Sequence, residues 1–251
     1  MRDPRDQFGP AANQYLSSAV HSNPSALGRL VEMARPSGGK VVDVATGAGH
    51  TAYAFAPFVD KVVATDITPS MLEVTRTEAK KRNLTNLEVL FAVAENLPFH
   101  TASLDGITCR LGAHHFSNVH AFVRESHRTL KPGGWLVLAD TIGSEDREAD
   151  EAVDQLERVR DPSHRRNYRR SDWLSMLSEL GLKVEQEEVV AKEIDAKDWM
   201  ERMNVSEADQ SYLVDMMLGA KGEFARYLRP ETRAGRLYFH LAEIALFAVR
   251  T

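Results

Sequence analysis

Ten residues constrain the fold of this chain more than any others: Val41-Val42-Asp43-Val44-Ala45-Thr46-Gly47-Ala48-Gly49-His50. A β-branched run ends in a small-residue turn, and a helix-compatible stretch follows. A second β-branched run, Val62-Val63-Ala64-Thr65-Asp66, ends in an acid about twenty residues on. In a doubly wound sheet that acid falls where a ribose is read, and the glycine turn falls where a ligand approaches the backbone. The pair predicts an α/β domain that binds an adenosyl cofactor.

The rest of the chain supports such a sheet. Lys40–Ala45, Lys61–Asp66, Leu87–Val93, Asp105–Cys109, Trp135–Asp140, Lys183–Val190 and Leu241–Val249 read as seven strands. Helical spacing fills Thr51–Phe58, Pro69–Arg82, Val119–Leu130 and Asp172–Leu180, with Lys131-Pro132-Gly133-Gly134 closing the third of these. Alternating βαβ units of this kind make a mostly parallel sheet covered on both faces. Residues 8–35 read as two helices split at Asn23-Pro24, with Phe8, Ala12, Tyr15, Leu16, Ala19, Leu27, Leu30, Val31 and Met33 at helical spacing. Beyond Asp140 the pattern turns polar. Residues 144–170 and 191–230, the latter holding a methionine-rich helical stretch over 196–228, read as a cap on the sheet. The expected organisation is one domain over 1–251, divided into N-terminal helices (1–36), a cofactor-binding core (37–142), and a cap with C-terminal strands (143–251).

Composition narrows the function. The 251 residues are 43% hydrophobic, enough for a real core, and the net charge of -5 argues against a general nucleic-acid binder. The single cysteine, Cys109, excludes an internal disulfide and a cysteine zinc cluster, and no metal-binding motif occurs. The N-terminus carries no apolar core after its charges, and no run is long enough to span a bilayer. A cytoplasmic monomer or homodimer without stable membrane insertion is the expectation.

Gly47-Ala48-Gly49-His50-Thr51-Ala52 formally satisfies G-x-G-x-x-G/A, which leaves NAD open. Asp43 favours S-adenosylmethionine: a carboxylate there suits the ammonium of a methionine moiety, through water or backbone, and is awkward beside a pyrophosphate. The chain also has no second nucleotide-binding half.

Four motifs in order carry a resemblance: Val42 to Gly49, Asp66-Ile67-Thr68-Pro69-Ser70-Met71-Leu72, Ala94-Glu95-Asn96-Leu97-Pro98-Phe99, and Leu130-Lys131-Pro132-Gly133-Gly134. Over about residues 40–140 the chain resembles the class I S-adenosylmethionine-dependent methyltransferases, a Rossmann-like family, and within it the branch of menaquinone/ubiquinone-biosynthesis C-methyltransferases. The resemblance implies that Asp43 and the turn Ala45, Thr46, Gly47, Gly49 face the methionine end of the cofactor. It implies that Asp66 accepts both ribose hydroxyls and that Ile67 and Met71 flank the adenine. Ala94 and Glu95 lie at the adenine edge, and Arg110 and Leu111 lead from the fourth strand into the site. Tyr15, on the N-terminal helices, would close over the cofactor. Two residues depart from the pattern. Ala45 stands where the first glycine is usual, and Val93 where an aspartate normally accepts from the adenine amine. Glu95, a backbone group or packing alone would then hold the base.

Methyl transfer from a sulfonium is a direct displacement in which the cofactor carries the electrophile and the leaving group. A base is needed only for an acceptor that keeps its proton. His115 and His114, just past the fourth strand, are the base candidates, with Arg110 beside them; the alternative is a structural role for both histidines. Asp140, ending the fifth strand, either orients a histidine, binds substrate or caps a helix. The run Arg158 to Arg170 holds six arginines and a histidine. It reads either as a lid that clamps an anion through Arg160, His164 and Arg165, or as a solvated loop. Trp199, Arg202 and Asn204 are further candidates for the acceptor pocket. The expected function is methyl transfer to a small molecule, at carbon or oxygen of a quinone-like or acidic metabolite. The alternatives are an NAD-dependent oxidoreductase and a non-catalytic cofactor binder.

Overall fold

The computed structural model describes residues 2–16, 18 and 20–251; Ala19 of the expected N-terminal helices lies outside them. Among the described residues eight strands form one mixed sheet: β1 (Lys40–Val44), β2 (Lys61–Asp66), β3 (Leu87–Phe91), β4 (Leu104–Arg110), β5 (Leu130–Ile142), β6 (Leu182–Asp195), β7 (Glu231–Arg233) and β8 (Arg236–Arg250). Their order is β3-β2-β1-β4-β5-β8-β6, with β7 paired to β8. The first five are parallel, and β8 runs antiparallel to both β5 and β6.

The class is the expected one, but the sheet has eight strands and not seven. β7 is three exposed residues that fold back on β8, too short and too polar to read as a strand. β6 and β8 are also longer than expected. β6 continues to Asp195 through alternating charged and exposed residues, because as an edge strand it presents Glu187, Glu188 and Glu193 to solvent. Central strands show the opposite pattern: β1, β2 and β4 are buried along nearly their whole length, and β1 and β2 carry β-branched apolar runs. β5 starts earlier than expected. Leu130 pairs with Leu104, Lys131–Gly134 make an excursion, and pairing resumes at Trp135 opposite Gly106.

Among the described residues the N-terminal segment forms three short helices, Pro4–Phe8, Ala12–Leu16 and Pro24–Ala34. The last opens at Pro24 with Asn23 as its cap, accepting from the backbone of Ser25 and Ala26. The stretch 196–228 is three helices, Ala196–Glu201, Glu207–Leu218 and Gly222–Leu228. The breaks fall at Asn204, whose backbone is left-handed at φ 52°, and at the Gly219–Lys221 link. These helices pack with Arg147–Arg160 around Leu156, Trp199, Leu213, Met217 and Phe239, a core separate from the one under the sheet. The sheet core proper gathers Leu136, Leu138, Phe122, Trp173 and Leu177.

The chain reverses its direction of progression between β1 and β4. In doubly wound sheets the ligand crevice opens at that point, beyond the carboxyl ends of the strands. Here that is where the Ala45–Gly49 turn, Asp66, Arg110 and Thr141 emerge.

Candidate active site

A cavity of about 540 Å³ opens at this crevice, roofed by the N-terminal segment and walled on the far side by the cap. Two of its walls differ in chemistry.

The first wall is built by β1 and β2. Asp66 is 92% buried, and its carboxylate accepts from the Gly47 amide at 2.9 Å and the Thr68 amide at 2.8 Å. Burial raises its pKa against those hydrogen bonds. Gly47 has φ +55°, and a Cβ there would meet nothing within 4 Å: the turn presents bare backbone to open cavity. Gly49 serves the turn and does not line the cavity. It sits at φ +90°, and a Cβ would come within 2.5 Å of Tyr53 and 2.8 Å of Thr75. Ala45, in the place of the usual glycine, also takes a left-handed conformation at φ 54°, a strain of about 1–2 kcal/mol for a residue with a Cβ. Asp43 lies behind the wall. Its carboxylate accepts from Thr46 Oγ1 at 2.5 Å and Thr108 Oγ1 at 2.7 Å, and burial pushes it up to about 6. It therefore reaches the cavity only through Thr46, which does line it.

Ile67, Met71, Ala94, Phe91 and Val93 make an apolar slot beside Asp66. Phe91 and Val93 are 52% and 42% exposed, so this end of the cavity keeps apolar surface uncovered. Glu95 also lines the slot, but its Oε1 already accepts from the Ser117 amide and hydroxyl and the Asn118 amide. Packing against this slot is thus available to a purine, with Glu95 Oε2 the carboxylate oxygen left to accept from its amine. Bare turn, buried carboxylate and apolar slot together fit an adenosyl group. Val93→Asp, by restoring an acceptor for a ring amine, is expected to tighten S-adenosylhomocysteine binding about tenfold, since a charged hydrogen bond contributes about 1.5–3 kcal/mol. Calorimetric titration of the variant checks this.

Arg110 is 92% buried at the end of β4. Its guanidinium donates to the carbonyls of Val20 at 2.8 Å and His21 at 2.9 Å, while Nε has no partner among the described residues. Arg110 therefore pins the N-terminal segment over the cavity, and Leu111 follows it in the wall. The same segment is held by His50 Nε2 on the Tyr15 carbonyl at 3.1 Å and by Phe8 edge-on to His115, centroids 4.9 Å apart. Burial pushes the Tyr15 phenol up to about 12. Phe8 was not expected in the site, because its contact exists only once the segment has folded back across the sheet.

The second wall follows β4 and β5. His114 Nδ1 lies 2.5 Å from Asp140 Oδ1, and Asp140 also accepts from the His114 amide at 3.1 Å. Burial opposes charge on His114, but the carboxylate wins: the imidazole is raised above 6.5 and Asp140 is lowered. Asp140 itself is 1% exposed and does not line the cavity; it caps no helix either, since the next one is capped by Asp146. With Nδ1 engaged, Nε2 of His114 carries no hydrogen bond among the described residues. His115 differs. Burial, and then the charge of His114, push it down to about 3, and its Nδ1 faces the Ser163 carbonyl at 3.2 Å. The two adjacent histidines are thus shifted in opposite directions.

Of the arginine run, Arg158, Arg166, Arg169 and Arg170 pair with carboxylates of Asp154, Asp150, Asp172 and Glu187. Arg160 lines the cavity, its guanidinium 4.7 Å over the Trp199 ring and 3.5 Å from Glu157. Arg165 lines the cavity and has no ion pair among the described residues. His164 is buried with Nε2 3.1 Å from Asp154, its ring 5.6 Å from that of His114. Trp199 and Arg202 reach the cavity and Asn204 does not. Cys109 is buried, and its thiol is raised well above 9.0.

The crevice thus carries the Asp66 turn with its apolar slot and the Asp140-backed His114 on one cavity, at the place where doubly wound folds bind ligands. Comparisons with known proteins identify the family. Residues 42–138 match the methyltransferase domain family. The uncharacterized methyltransferase YcgJ of Bacillus subtilis is 40% identical over 172 residues, 68% of each chain. The YcgJ crystal structure superposes with a TM-score of 0.86 at 33% identity, covering 90% of this chain and 98% of that one. BH2331 of Bacillus halodurans C-125 superposes equally well, at 37% identity, over 90% of this chain and all of that one. The ubiquinone/menaquinone biosynthesis C-methyltransferase UbiE of Shewanella oneidensis is 37% identical over 132 residues, about half of each chain. The chain belongs to the class I S-adenosylmethionine-dependent methyltransferases.

Among the described residues no helix is long and apolar enough to cross a membrane, and no cluster of metal-ligating side chains occurs.

Proposed function

We propose that this enzyme methylates a hydroxyl, or the carbon it activates, on a small planar acceptor held between the Asp66 wall and the His114–Asp140 pair. The observation that carries the reading is the placing of both walls on one cavity, with His114 Nε2 free and its other nitrogen fixed by a buried carboxylate.

When bound, S-adenosylmethionine supplies the methyl on a sulfonium and leaves as the neutral thioether. The chain's own residues do the rest. Asp66 and the Gly47 turn hold the ribose, Ile67, Met71, Phe91 and Val93 enclose the base, and Tyr15, Thr46 and Arg110 close the methionine end. Asp140 orients His114 and strengthens it as a base, so that His114 takes the proton the acceptor gives up. His115, kept neutral, and Phe8 exclude water from that side. Alignment of the two ligands is the larger catalytic effect in a displacement of this kind. Trp199 and Arg160 offer a flat cationic face to the acceptor. The likeness to UbiE over the cofactor-binding half supports an acceptor of quinol character.

Incubation with methyl-labelled S-adenosylmethionine and a panel of hydroxylated arenes and quinols tests the reading. Label in an extracted product, lost in Asp66→Ala and strongly reduced in Asp140→Asn, is the expected result. Labelled product undiminished in Asp140→Asn would remove His114 from the chemistry.

A further inference from the structure

Two guanidinium groups of the cap line one corner of the cavity, beside the helix Ala196–Glu201. Arg160 is fixed there: its Nε donates to the Trp199 carbonyl at 3.1 Å, and its guanidinium lies 4.7 Å over the Trp199 ring. Glu157 offsets its charge from 3.5 Å, while Nη2 has no partner among the described residues. Arg202 caps the C-terminal end of the same helix. It lines the cavity and is exposed, so a ligand that enters can reach it. It has no ion pair among the described residues, and the acids around it are engaged elsewhere. Asp195 and Asp198 both pair with Arg236, Glu243 pairs with Lys192, and Asp161 accepts from the Ser163 amide and hydroxyl.

Tyr15 closes the corner from the roof. Among the described residues its hydroxyl donates to Met203 Sδ, 3.7 Å away, and Met203 also lines the cavity. A thioether is a weak acceptor, so this donor is ready for a better one. The three groups feel one another. Arg202 is lowered by the protein packed round it and next by the charge of Arg160. Burial raises the Tyr15 phenol against the pull of Arg160 and Arg202.

Glu157 balances Arg160, which leaves the single positive charge of Arg202. One negative charge answers it. A carboxylate suits the geometry as well: two oxygens meet a planar guanidinium fork, and lone pairs remain for a phenol hydroxyl. The corner lies on the His114 side. Asp161, next to Arg160 in the chain, has Oδ2 3.9 Å from His115 Nε2, and the His115 and His114 ring centroids are 4.1 Å apart. Among the described residues neither arginine bonds to the Asp66 wall.

We propose that Arg202 and Arg160, with the Tyr15 hydroxyl, bind a carboxylate on the methyl acceptor, which makes the acceptor a hydroxylated aromatic acid. This rests on the methyltransferase reading of the same cavity. Arg202 is a specificity residue: it touches the substrate away from the reacting atom and takes no proton. A site built for a charged group discriminates against a neutral analogue, because its own charge is then left unpaired.

The test is calorimetric, with S-adenosylhomocysteine saturating and two probes of nearly equal shape, 4-hydroxyphenylpropanoate and its neutral amide. The short flexible arm lets the carboxylate settle on the arginines. The acid is expected to bind at least about tenfold more tightly than the amide. In Arg202→Gln the ratio is expected to fall to near one, and Arg202→Lys, which keeps the charge without the fork, to retain part of it. The melting temperature of Arg202→Gln should be unchanged or raised, since a like-charged neighbour of Arg160 is gone. Equal binding of acid and amide to the native protein, no binding of the acid, or a ratio that survives Arg202→Gln would overturn the proposal. So would an equal loss of both probes in that variant, the mark of a structural role. The cofactor's own carboxylate is the other source of this chemistry, and 5′-methylthioadenosine, the same thioether nucleoside without the amino-acid end, separates it. Both nucleosides should bind Arg202→Gln as they bind the native protein. A loss confined to S-adenosylhomocysteine would assign the arginines to the cofactor and overturn the proposal. Failure of S-adenosylhomocysteine to bind the native protein would overturn the cofactor reading instead, a separate result.

Discussion

Asp66→Ala is expected to weaken S-adenosylhomocysteine binding about a hundredfold, with little loss of stability. The carboxylate has two tasks: it fixes the Gly47 and Thr68 amides, and its remaining acceptor capacity faces the cavity. Charge-assisted hydrogen bonds contribute about 1.5–3 kcal/mol. Losing a ribose contact of that kind, together with the ordering of the turn, amounts to about 3 kcal/mol, or two decades in affinity. Because the residue lies at a cavity wall and not in the packed core, its removal opens no void under the sheet. Calorimetry on the purified variant measures the effect. An affinity within threefold of the native value would mean that the ribose is held elsewhere.

Asp140→Asn is the second large effect, and it acts on stability and titration together. Breaking a buried ion pair by removing one partner typically costs about 3–5 kcal/mol, and Asp140 is 1% exposed. The pH dependence follows from the directions of the two shifts. His114 is raised in the folded protein, so its contribution is fully present below 6.5 and is lost as pH rises through the folded value. Asp140 is lowered, so its contribution is present above 3.8 and is lost as pH falls through its folded value. The pair therefore stabilises most between these limits. Urea denaturation at about pH 5.5 should show a loss of about 3 kcal/mol in the variant, and at about pH 8.5 a smaller one. The His114 ring signal should titrate lower than in the native protein, because the largest opponent of burial is gone and only the more distant Glu157 and Asp161 still raise it. A variant whose stability loss is the same at both pH values would show that His114 is neutral throughout.

Much of the cofactor wall is written in the chain because it is local. The β1 run, the turn and the acid ending β2 are short segments, and their roles follow from strand geometry and left-handed backbone at Gly47 and Gly49. The apolar runs of β1 and β2 were readable for the same reason: strands buried on both faces carry no competing pattern. The β6 edge and the tiny β7 were less so, since their charged residues look like loop. The cap hid still more. Arg158 and Arg169 pair with acids three or four residues away on their own helices, but Arg166 and Arg170 turn to Asp150 and Glu187 on other elements, which only the packed structure reveals. Phe8 reaches His115 from 107 residues away along the chain. No periodicity announces it. Asp140 and His114 lay between these extremes: each was a candidate by its strand-end position, and their 2.5 Å contact joins them.

The central claim is that this crevice binds the adenosyl-sulfur cofactor. Titrating S-adenosylmethionine, S-adenosylhomocysteine and NAD separately into the native protein by calorimetry tests it most directly. Binding of the two sulfur ligands near the micromolar range, with no heat from NAD, is the expected result. Preference for NAD, or silence from all three, would contradict the account of the Asp66 wall.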